Sequence, residues 1–277
     1  MNGAVVITGA STGIGEATAR RLAGNGFQVF AGVRREQDAE RLRSVGATPV
    51  TIDVTDSGSI ADAASRVRTE LGERGLAGLV NNAGITVTGP VEFVPMDELR
   101  RQFEVNTFGH VEVTQAFMPL LRRATGRIVF VSSIGARTPL PFIAPYVGSK
   151  AAIVAIAISL RQELAEWGMH VSVVEPGTVA TPIWEKGGED TKRAVEALPP
   201  EGREHYGEHL ERGGEVTARI ARLGIKPDRV ARVIEKALTA SRPRTRYLVG
   251  DAWVQYVLSR VLPDRAFDRV VARFMGT

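Results

Sequence analysis

The chain has 277 residues, of which 44% are hydrophobic and 24% charged, which suits one large α/β domain or two small ones with an ample core. It has no cysteine, which excludes disulfides and thiolate catalysis, and its four histidines show no metal-binding pattern, so no metal site is expected. The net charge of +4 arises from interleaved acidic and basic residues, which argues against a nucleic-acid partner.

The start of the chain carries no pattern for export. Met1-Asn2-Gly3 leads directly into a strand-like segment, without the charged and apolar regions of a signal peptide. No uninterrupted apolar run reaches the ~18 residues that a membrane span needs. We therefore expect a cytoplasmic protein with no transmembrane segment.

The first strand-like segment leads into a glycine-rich turn. The continuous apolar run at 4–7 is typical of a strand buried on both faces of a parallel sheet. Glycines between a strand and a helix allow a tight turn, close approach to a phosphate and a helix N-terminus that faces a pyrophosphate. The pattern predicts a dinucleotide site. Its predicted residues are Gly9, Ser11, Thr12, Gly13, Ile14 and Gly15.

The second predicted strand, at 28–33, ends in two arginines. NAD-binding sites place a carboxylate about twenty residues beyond the glycines, to bind the adenosine ribose. Here Arg34 and Arg35 occupy that point, and guanidinium groups suit a ribose 2′-phosphate. The sequence therefore favours NADP(H). NAD(H) is the alternative, if both arginines are solvated and Glu36 or Asp38 turns inward.

Short apolar strands alternate with helical segments along most of the chain. Further strands are predicted at 49–52, 76–80, 127–131, 171–174 and 246–249. Helices are predicted at 36–46, 57–71, 96–123, 144–166 and 228–240. This alternation predicts βαβ units and a Rossmann-type doubly wound parallel sheet flanked by helices, in a single α/β domain over residues 1–277. Residues 9–15, 34, 53 and 81–84 all follow strands, so they should meet at one sheet edge.

The segment from Ser133 to Lys150 has the pattern of a proton-transfer site. Tyr146 and Lys150 are four residues apart, which places them on one face of a helix. An ammonium beside a phenol should lower the tyrosine pKa. Ser133 follows a predicted strand and could contact the same oxygen of an alcohol or carbonyl substrate. The alternative is a chance surface pair. Asn106, inside the predicted helix at 96–123, should have a specific partner unless it is simply exposed.

Three further segments predict how the site is covered. Residues 183–225 break the regular rhythm and are predicted to form an irregular substrate-lid insertion, the alternative being a disordered loop. Residues 251–277 form a helical extension that closes the pocket, contacts another subunit or touches a membrane surface. The run at 151–158 is apolar on every helical face, which a second subunit would cover.

The chain resembles the short-chain dehydrogenase/reductase family over residues 3–182, and more loosely over 228–250. The resemblance is closest to the branch of retinol, hydroxysteroid and 3-hydroxybutyrate dehydrogenases. It implies a seven-stranded parallel sheet and a homodimer or homotetramer built partly on two long helices. The chain departs from the NAD-using members at Arg34, and it has Glu175 where Asn is usual. The motifs that carry the resemblance are Thr8-Gly9-x-x-x-Gly13-Ile14-Gly15, Asn81-Asn82-Ala83-Gly84, Asn106, Ser133, Tyr146-x-x-x-Lys150 and Pro176-Gly177.

The resemblance also implies roles for these residues. Tyr146 would be the general acid or base, and Lys150 would lower its pKa and hold the nicotinamide ribose. Ser133 rather than Ser132 would bind the reacting oxygen, and Asn106 would support a water-linked proton path. Asp53 and Val54 would flank the adenine, Asn81 would lie on the adenosine side, and Thr178 and Thr181 would face the nicotinamide end. The other implied cofactor contacts are Ala83, Gly84, Pro176, Gly177 and Val179.

The predicted function is an NADP(H)-dependent oxidoreductase that interconverts a secondary alcohol and a ketone, on a lipophilic small molecule such as a steroid or retinoid. Two alternatives remain. A nucleotide-sugar epimerase also uses a Tyr-x-x-x-Lys pair, but has a different glycine spacing and a larger C-terminal domain. A dinucleotide sensor on the same fold would lack the catalytic residues, all of which are present here.

Overall fold

The structure is a computed structural model that describes residues 3–181 and 187–275. Its centre is a seven-stranded sheet in the order β3-β2-β1-β4-β5-β6-β7, in which every neighbouring pair is parallel. The predicted doubly wound parallel sheet is confirmed. The strands are β1 (Ala4–Ile7), β2 (Gln28–Val33), β3 (Thr48–Thr51), β4 (Gly78–Asn81), β5 (Arg127–Val131), β6 (His170–Pro176) and β7 (Arg246–Val249).

Helices connect the strands and cover both faces of the sheet. Up to β6 they are α1 (Gly13–Gly24), α2 (Ala39–Arg43), α3 (Ser57–Leu71), α4 (Met96–Phe103), α5 (Gly109–Arg123) and α6 (Ala144–Leu164). Beyond residue 186 they are α7 (Gly187–Ala197), α8 (Pro200–Leu223), α9 (Pro227–Thr239), α10 (Ala252–Val261) and α11 (Asp264–Met275).

The strands divide their side chains between two apolar cores. Val6 and Phe130 point into the core covered by α3, α5 and α6, whereas Val5 and Val129 point into the core covered by α1 and α9. All four side chains are at most 1% exposed. This two-residue alternation explains why the strands read as continuous apolar runs, since both faces are buried.

The predicted irregular structure between 183 and 225 is wrong over the residues that the structure describes. From Gly187 onward this segment forms α7 and α8, while residues 182–186 lie outside the described part. Pro200 occupies the first position of α8, where a proline costs no hydrogen bond. Gly213 and Gly214 lie inside α8 against Phe142 and Thr191, so they permit close packing rather than ending the helix.

The C-terminal extension is helical, as predicted, and consists of α10 and α11. α10 begins three residues after β7, and α11 contacts α8. Among the described residues, no helix combines the length and the apolar character that crossing a bilayer requires.

Candidate active site

The glycine-rich loop after β1 is tied to the loop after β4. The Thr8 hydroxyl accepts hydrogen bonds from the backbone N–H groups of Asn82 (3.0 Å) and Ala83 (3.1 Å). The Asn82 amide in turn donates to the carbonyls of Thr8 (3.0 Å) and Gly9 (3.1 Å). A Cβ at Gly15 would lie 2.2 Å from the Gly9 carbonyl oxygen, so only glycine fits. The turn leads into the N-terminus of α1, where the Thr12 side chain makes no capping hydrogen bond, so this helix start is open to an acceptor such as a pyrophosphate.

The adenosine end of this edge has one arginine that pairs locally and one that does not. Arg35 Nε lies 3.3 Å from Asp38 Oδ2, so the Asp38 carboxylate forms a salt bridge with Arg35. Arg34 forms no salt bridge with any residue in the described part of the chain. Burial favours a higher pKa for Asp53, but hydrogen bonds from Thr55 and the charge of Arg34 outweigh it, and the pKa is lowered. Arg34 therefore lies near enough to Asp53 for its charge to act on the carboxyl group.

Ser133, Tyr146 and Lys150 meet at the ends of β5 and α6. The Ser133 and Tyr146 hydroxyls share a hydrogen bond, and both side chains are buried. Lys150 Nζ lies 5.9 Å from the centre of the Tyr146 ring and donates to the Val131 carbonyl at 2.9 Å. The Ser132 hydroxyl instead donates to the Lys150 carbonyl (3.0 Å). Ser133, not Ser132, is thus placed against the tyrosine.

The expected lowering of the tyrosine pKa is wrong for this structure. Burial raises the pKa of Tyr146, and the hydrogen bond with Ser133 opposes this without reversing it. Burial also lowers the pKa of Lys150, from 10.5 to about 8. Both shifts have one cause, because a dry environment disfavours the charged form of either group. Near neutral pH the site therefore holds a neutral phenol beside a destabilised ammonium.

Asn106 lies in a π-helical turn, Glu104–Phe108, between α4 and α5. Its side-chain oxygen accepts from the Ile85 N–H (2.9 Å), and its nitrogen donates to the Ile85 carbonyl and the Ser149 hydroxyl, both at 3.1 Å. The predicted specific partner is therefore present, and it links the loop after β4 to α6. Gly84 lies beside this group, since a Cβ there would be 3.4 Å from Asn106 Oδ1 and 3.7 Å from Lys150 Nζ.

Other predicted cofactor residues lie at the same edge but differ in exposure. The Asn81 side chain is fully buried and donates to the Thr114 hydroxyl (2.9 Å). Val54, Pro176, Val179 and Thr181 are also buried. The more accessible residues are Ser11, Thr12, Gly13, Ile14, Ala83, Gly84, Gly177 and Thr178.

Three residues near the site were missed by the sequence reasoning. His110 is fully buried, and burial together with the charge of Lys150 lowers its pKa to about 3. The neutral ring donates from Nε2 to the Ala83 carbonyl (2.7 Å). Phe142, four residues before Tyr146, has a positive φ of 66°, which is strained for a bulky residue. Asp251 accepts a hydrogen bond from the Thr178 N–H (2.8 Å). Only His110 had a signal in the sequence, as the residue four positions after Asn106.

These features fit a dinucleotide. The glycine cradle, the open start of α1 and Arg34 suit its phosphates, while the Ser133–Tyr146–Lys150 group lies toward β5. Because β2 and β3 lie on one side of β1 and β5 on the other, the adenosine end and the proton-transfer end are separated across the sheet. This arrangement defines a Rossmann-fold oxidoreductase site.

Comparison with known proteins identifies the family. The model of the short chain dehydrogenase family matches residues 3–192, and the chain belongs to this family of oxidoreductases that act on CH–OH groups with NAD(P). Retinol dehydrogenase 5 of Mus musculus is 38% identical over 96% of this chain and 87% of its own length. The NADPH-dependent 3-dehydrocapnine reductase of Ornithobacterium rhinotracheale is 34% identical over 96% of this chain and 94% of its own. A short chain dehydrogenase from Burkholderia cenocepacia, solved in complex with NADP, has a TM-score of 0.73 and 27% identity over 98% of this chain and 97% of that chain.

Proposed function

We propose that this protein uses NADP(H) to interconvert a lipophilic secondary alcohol and its ketone. The observation that carries the proposal is the hydrogen-bonded pair of Ser133 and Tyr146 hydroxyls, buried beside Lys150. Two hydroxyls at one point can bind a single substrate oxygen from two directions. A buried cation next to them stabilises negative charge on that oxygen or on the phenol.

Tyr146, Ser133 and Lys150 have different roles in the transfer of the proton. When bound, the nicotinamide supplies or accepts the hydride. In ketone reduction the Tyr146 hydroxyl donates its proton to the carbonyl oxygen as the hydride reaches the carbon, and in alcohol oxidation the phenolate takes that proton back. Ser133 donates a hydrogen bond to the same oxygen. The Lys150 ammonium stabilises the phenolate that reduction leaves behind, and Asn106 holds the loop after β4 against α6.

Arg34 supports the choice of NADP(H). It follows β2 at the adenosine end, lies near Asp53 and forms no salt bridge with another described residue, so its guanidinium can pair with a 2′-phosphate. The relatives are consistent with this choice, since one is named NADPH-dependent and one was solved with NADP.

An aromatic cluster next to the start of α6, the helix that carries Tyr146, supports a lipophilic substrate. Tyr206 of α8 packs edge-on against Phe93 (6.0 Å between ring centres) and Phe142 (6.4 Å). Phe93 lies in the loop after β4, and Phe142 lies just before α6. We propose that α8 acts as the predicted substrate lid, with this cluster forming an apolar wall. A relative named for retinol is consistent with such a substrate.

We also propose a homodimer or homotetramer built on α5 and α6. Phe108, just before α5, is 54% exposed, and Ala151 and Ala155 of α6 are exposed small residues that permit close helix packing. Light scattering at micromolar concentration tests this assembly, with a mass of at least two chains expected.

A substrate panel tests the proposed function. NADPH and NADH consumption would be followed with steroid and aromatic ketones, with the retinoid aldehyde retinal and with small polar keto acids, and the reverse reaction with the matching alcohols. We expect turnover with NADPH and apolar ketones, and little with the keto acids. Tight NADPH binding without turnover of any ketone or alcohol would instead favour a sensor, and activity confined to polar substrates would contradict the proposed lid.

A further inference from the structure

Asp251 joins the C-terminal helix α10 to the loop that follows β6. Its Oδ1 accepts from the Thr178 backbone N–H at 2.8 Å, and its Oδ2 accepts from the Thr178 hydroxyl at 3.2 Å. The Gln255 amide, one turn further along α10, donates to the same Oδ2 at 2.8 Å. The Asp251 carboxylate is thus held by hydrogen bonds from the loop after β6 and from α10. One of these bonds comes from the main-chain N–H of the loop.

Gly177 explains how the carboxylate comes so close. A Cβ at this position would lie 1.9 Å from Asp251 Oδ1 and 2.7 Å from the Ala252 nitrogen. The Asp251 carboxylate therefore lies in the space that any other side chain at 177 would need. The Pro-Gly motif and Asp251 form one structural unit, although 73 residues separate Thr178 from Asp251.

The same turn of α10 also contacts the loop that begins at Ser133. The Thr138 hydroxyl lies 3.4 Å from Gln255 Oε1, and the Arg137 guanidinium lies 5.6 Å from the centre of the Tyr256 ring. Arg137 Nε also donates to Glu175 Oε1 at 2.8 Å.

Glu175 connects these contacts to β7 through two ion pairs, with Arg137 and with Arg246. It directly precedes Pro176, is fully buried and pairs with Arg246 (2.9 Å) as well as with Arg137. The loop after β5 and the end of β6 are therefore held together by the pairing of Arg137 with the buried Glu175 on one side and by α10 on the other. Because β5 carries Ser133 and β6 is its neighbour, both loops border the proton-transfer end of the site.

We propose that Asp251 is a positioning residue that holds the 176–178 loop where the nicotinamide half of the cofactor binds. This inference rests on the proposed function, because it assumes that a nicotinamide dinucleotide occupies the sheet edge. Asp251 acts through Thr178 in the loop after β6, whereas the proposed adenosine end lies at β2 and β3, on the other side of β1. Its loss should therefore weaken only interactions made by the nicotinamide end.

Two ligands separate this role from a general effect on folding. The dissociation constants of NADPH and of adenosine 2′,5′-bisphosphate, which lacks the nicotinamide half, would be measured for wild type, Asp251→Ala and Asp251→Asn. For Asp251→Ala we expect NADPH to bind about tenfold more weakly, the size expected for a lost charge-assisted hydrogen bond. Binding of the bisphosphate should change less than about twofold. Asp251→Asn retains one oxygen acceptor and should lie between Asp251→Ala and wild type.

Asp264→Ala provides a matched control, because Asp264 is an exposed acidic residue in the first turn of α11. It should leave both dissociation constants unchanged.

Equal weakening of both ligands by Asp251→Ala, or no weakening of NADPH, would overturn the inference. If Asp251→Ala does not fold, Asp251→Asn gives the same comparison. If wild type binds NADH more tightly, NADH and ADP replace the two ligands. Binding is measured without turnover, so failure of the proposed reaction would be seen separately.

Discussion

At the scale of single residues, burial controls the chemistry of the candidate site. Tyr146 and Lys150 were expected to pair as a phenolate and an ammonium, but burial favours the neutral form of both. A tyrosine that stays protonated at neutral pH can donate a proton, as the proposed reaction requires of Tyr146 in the direction of ketone reduction. The spacing of Tyr146 and Lys150 was readable from the sequence. The direction of the pKa shift was not, because it depends on strands and loops distant in the chain.

Lys150→Met should stabilise the protein while removing activity. The pKa of Lys150 falls from 10.5 to about 8, which corresponds to about 3 kcal/mol against the charged form. Loss of the hydrogen bond to Val131 offsets about 1 kcal/mol of this gain. We expect the free energy of unfolding at pH 7 to rise by ~1–2 kcal/mol, measured by urea denaturation.

The sign of the pH dependence follows from the lowered pKa. Below about pH 8 both folded and unfolded wild type carry the charged lysine, so the cost of burying it is fully present. Between about pH 8 and 10.5 the folded protein releases this proton first, and the cost disappears. The advantage of Lys150→Met should therefore shrink over that range. A variant less stable than wild type at pH 7 would show that the ammonium is not destabilised.

Arg34→Glu should reverse the proposed preference for NADPH. A carboxylate there would repel a 2′-phosphate and accept hydrogen bonds from a 2′-hydroxyl, so NADPH should bind about 10- to 100-fold more weakly and NADH no worse. Fluorescence titration with both nucleotides measures this effect. Arg43→Glu is the control, because Arg43 pairs with Glu36 in the exposed α2 region. Equal effects of the two variants would indicate general electrostatics rather than a phosphate site.

At the scale of elements, the strands and their order along the chain were predicted more accurately than the helices between them. Buried parallel strands leave a continuous apolar signature, whereas a π-turn inside the segment 96–123 differs from an α-helix by one hydrogen-bond register. The helices at 187–223 were missed because glycine pairs and prolines usually mark loops. Here those residues serve helix initiation and close packing, which only the tertiary structure reveals.

Asn106→Ala tests the π-turn as a structural joint. It would leave the part-buried N–H of Ile85 without its side-chain acceptor, whereas the Ile85 carbonyl keeps a hydrogen bond from Gln102 Nε2 (2.8 Å), so we expect a cost of ~1–3 kcal/mol of stability. Thermal and urea unfolding measure the change. Glu104→Ala, an exposed position in the same turn, should shift stability by less than ~0.5 kcal/mol. Similar small shifts for both variants would mean that solvent satisfies Ile85 instead.

At the scale of the whole molecule, the sequence predicted which residues meet because parallel strands direct their carboxyl ends to one edge. Residues 9–15, 34, 53, 81–84 and 133 follow β1 to β5 and converge there. Contacts between segments that are distant in the chain have no signature in the local sequence. The hydrogen bond between Thr178 and Asp251 is one such contact. The proposed lid has the same origin, since α8 and the segments of Phe93 and Phe142 that Tyr206 contacts are far apart in the chain.

The most direct test of the proposed reaction is Tyr146→Phe, with Tyr247→Phe as its control. Tyr247 is another buried tyrosine, whose hydroxyl accepts from the Arg244 N–H (2.9 Å) outside the candidate site. Single-turnover hydride transfer from NADPH to an apolar ketone would be measured alongside NADPH affinity. We predict that Tyr146→Phe slows transfer at least ~100-fold while its NADPH affinity stays within about threefold, and that Tyr247→Phe transfers at nearly the wild-type rate. Undiminished transfer by Tyr146→Phe would contradict the assignment of this tyrosine as the proton donor.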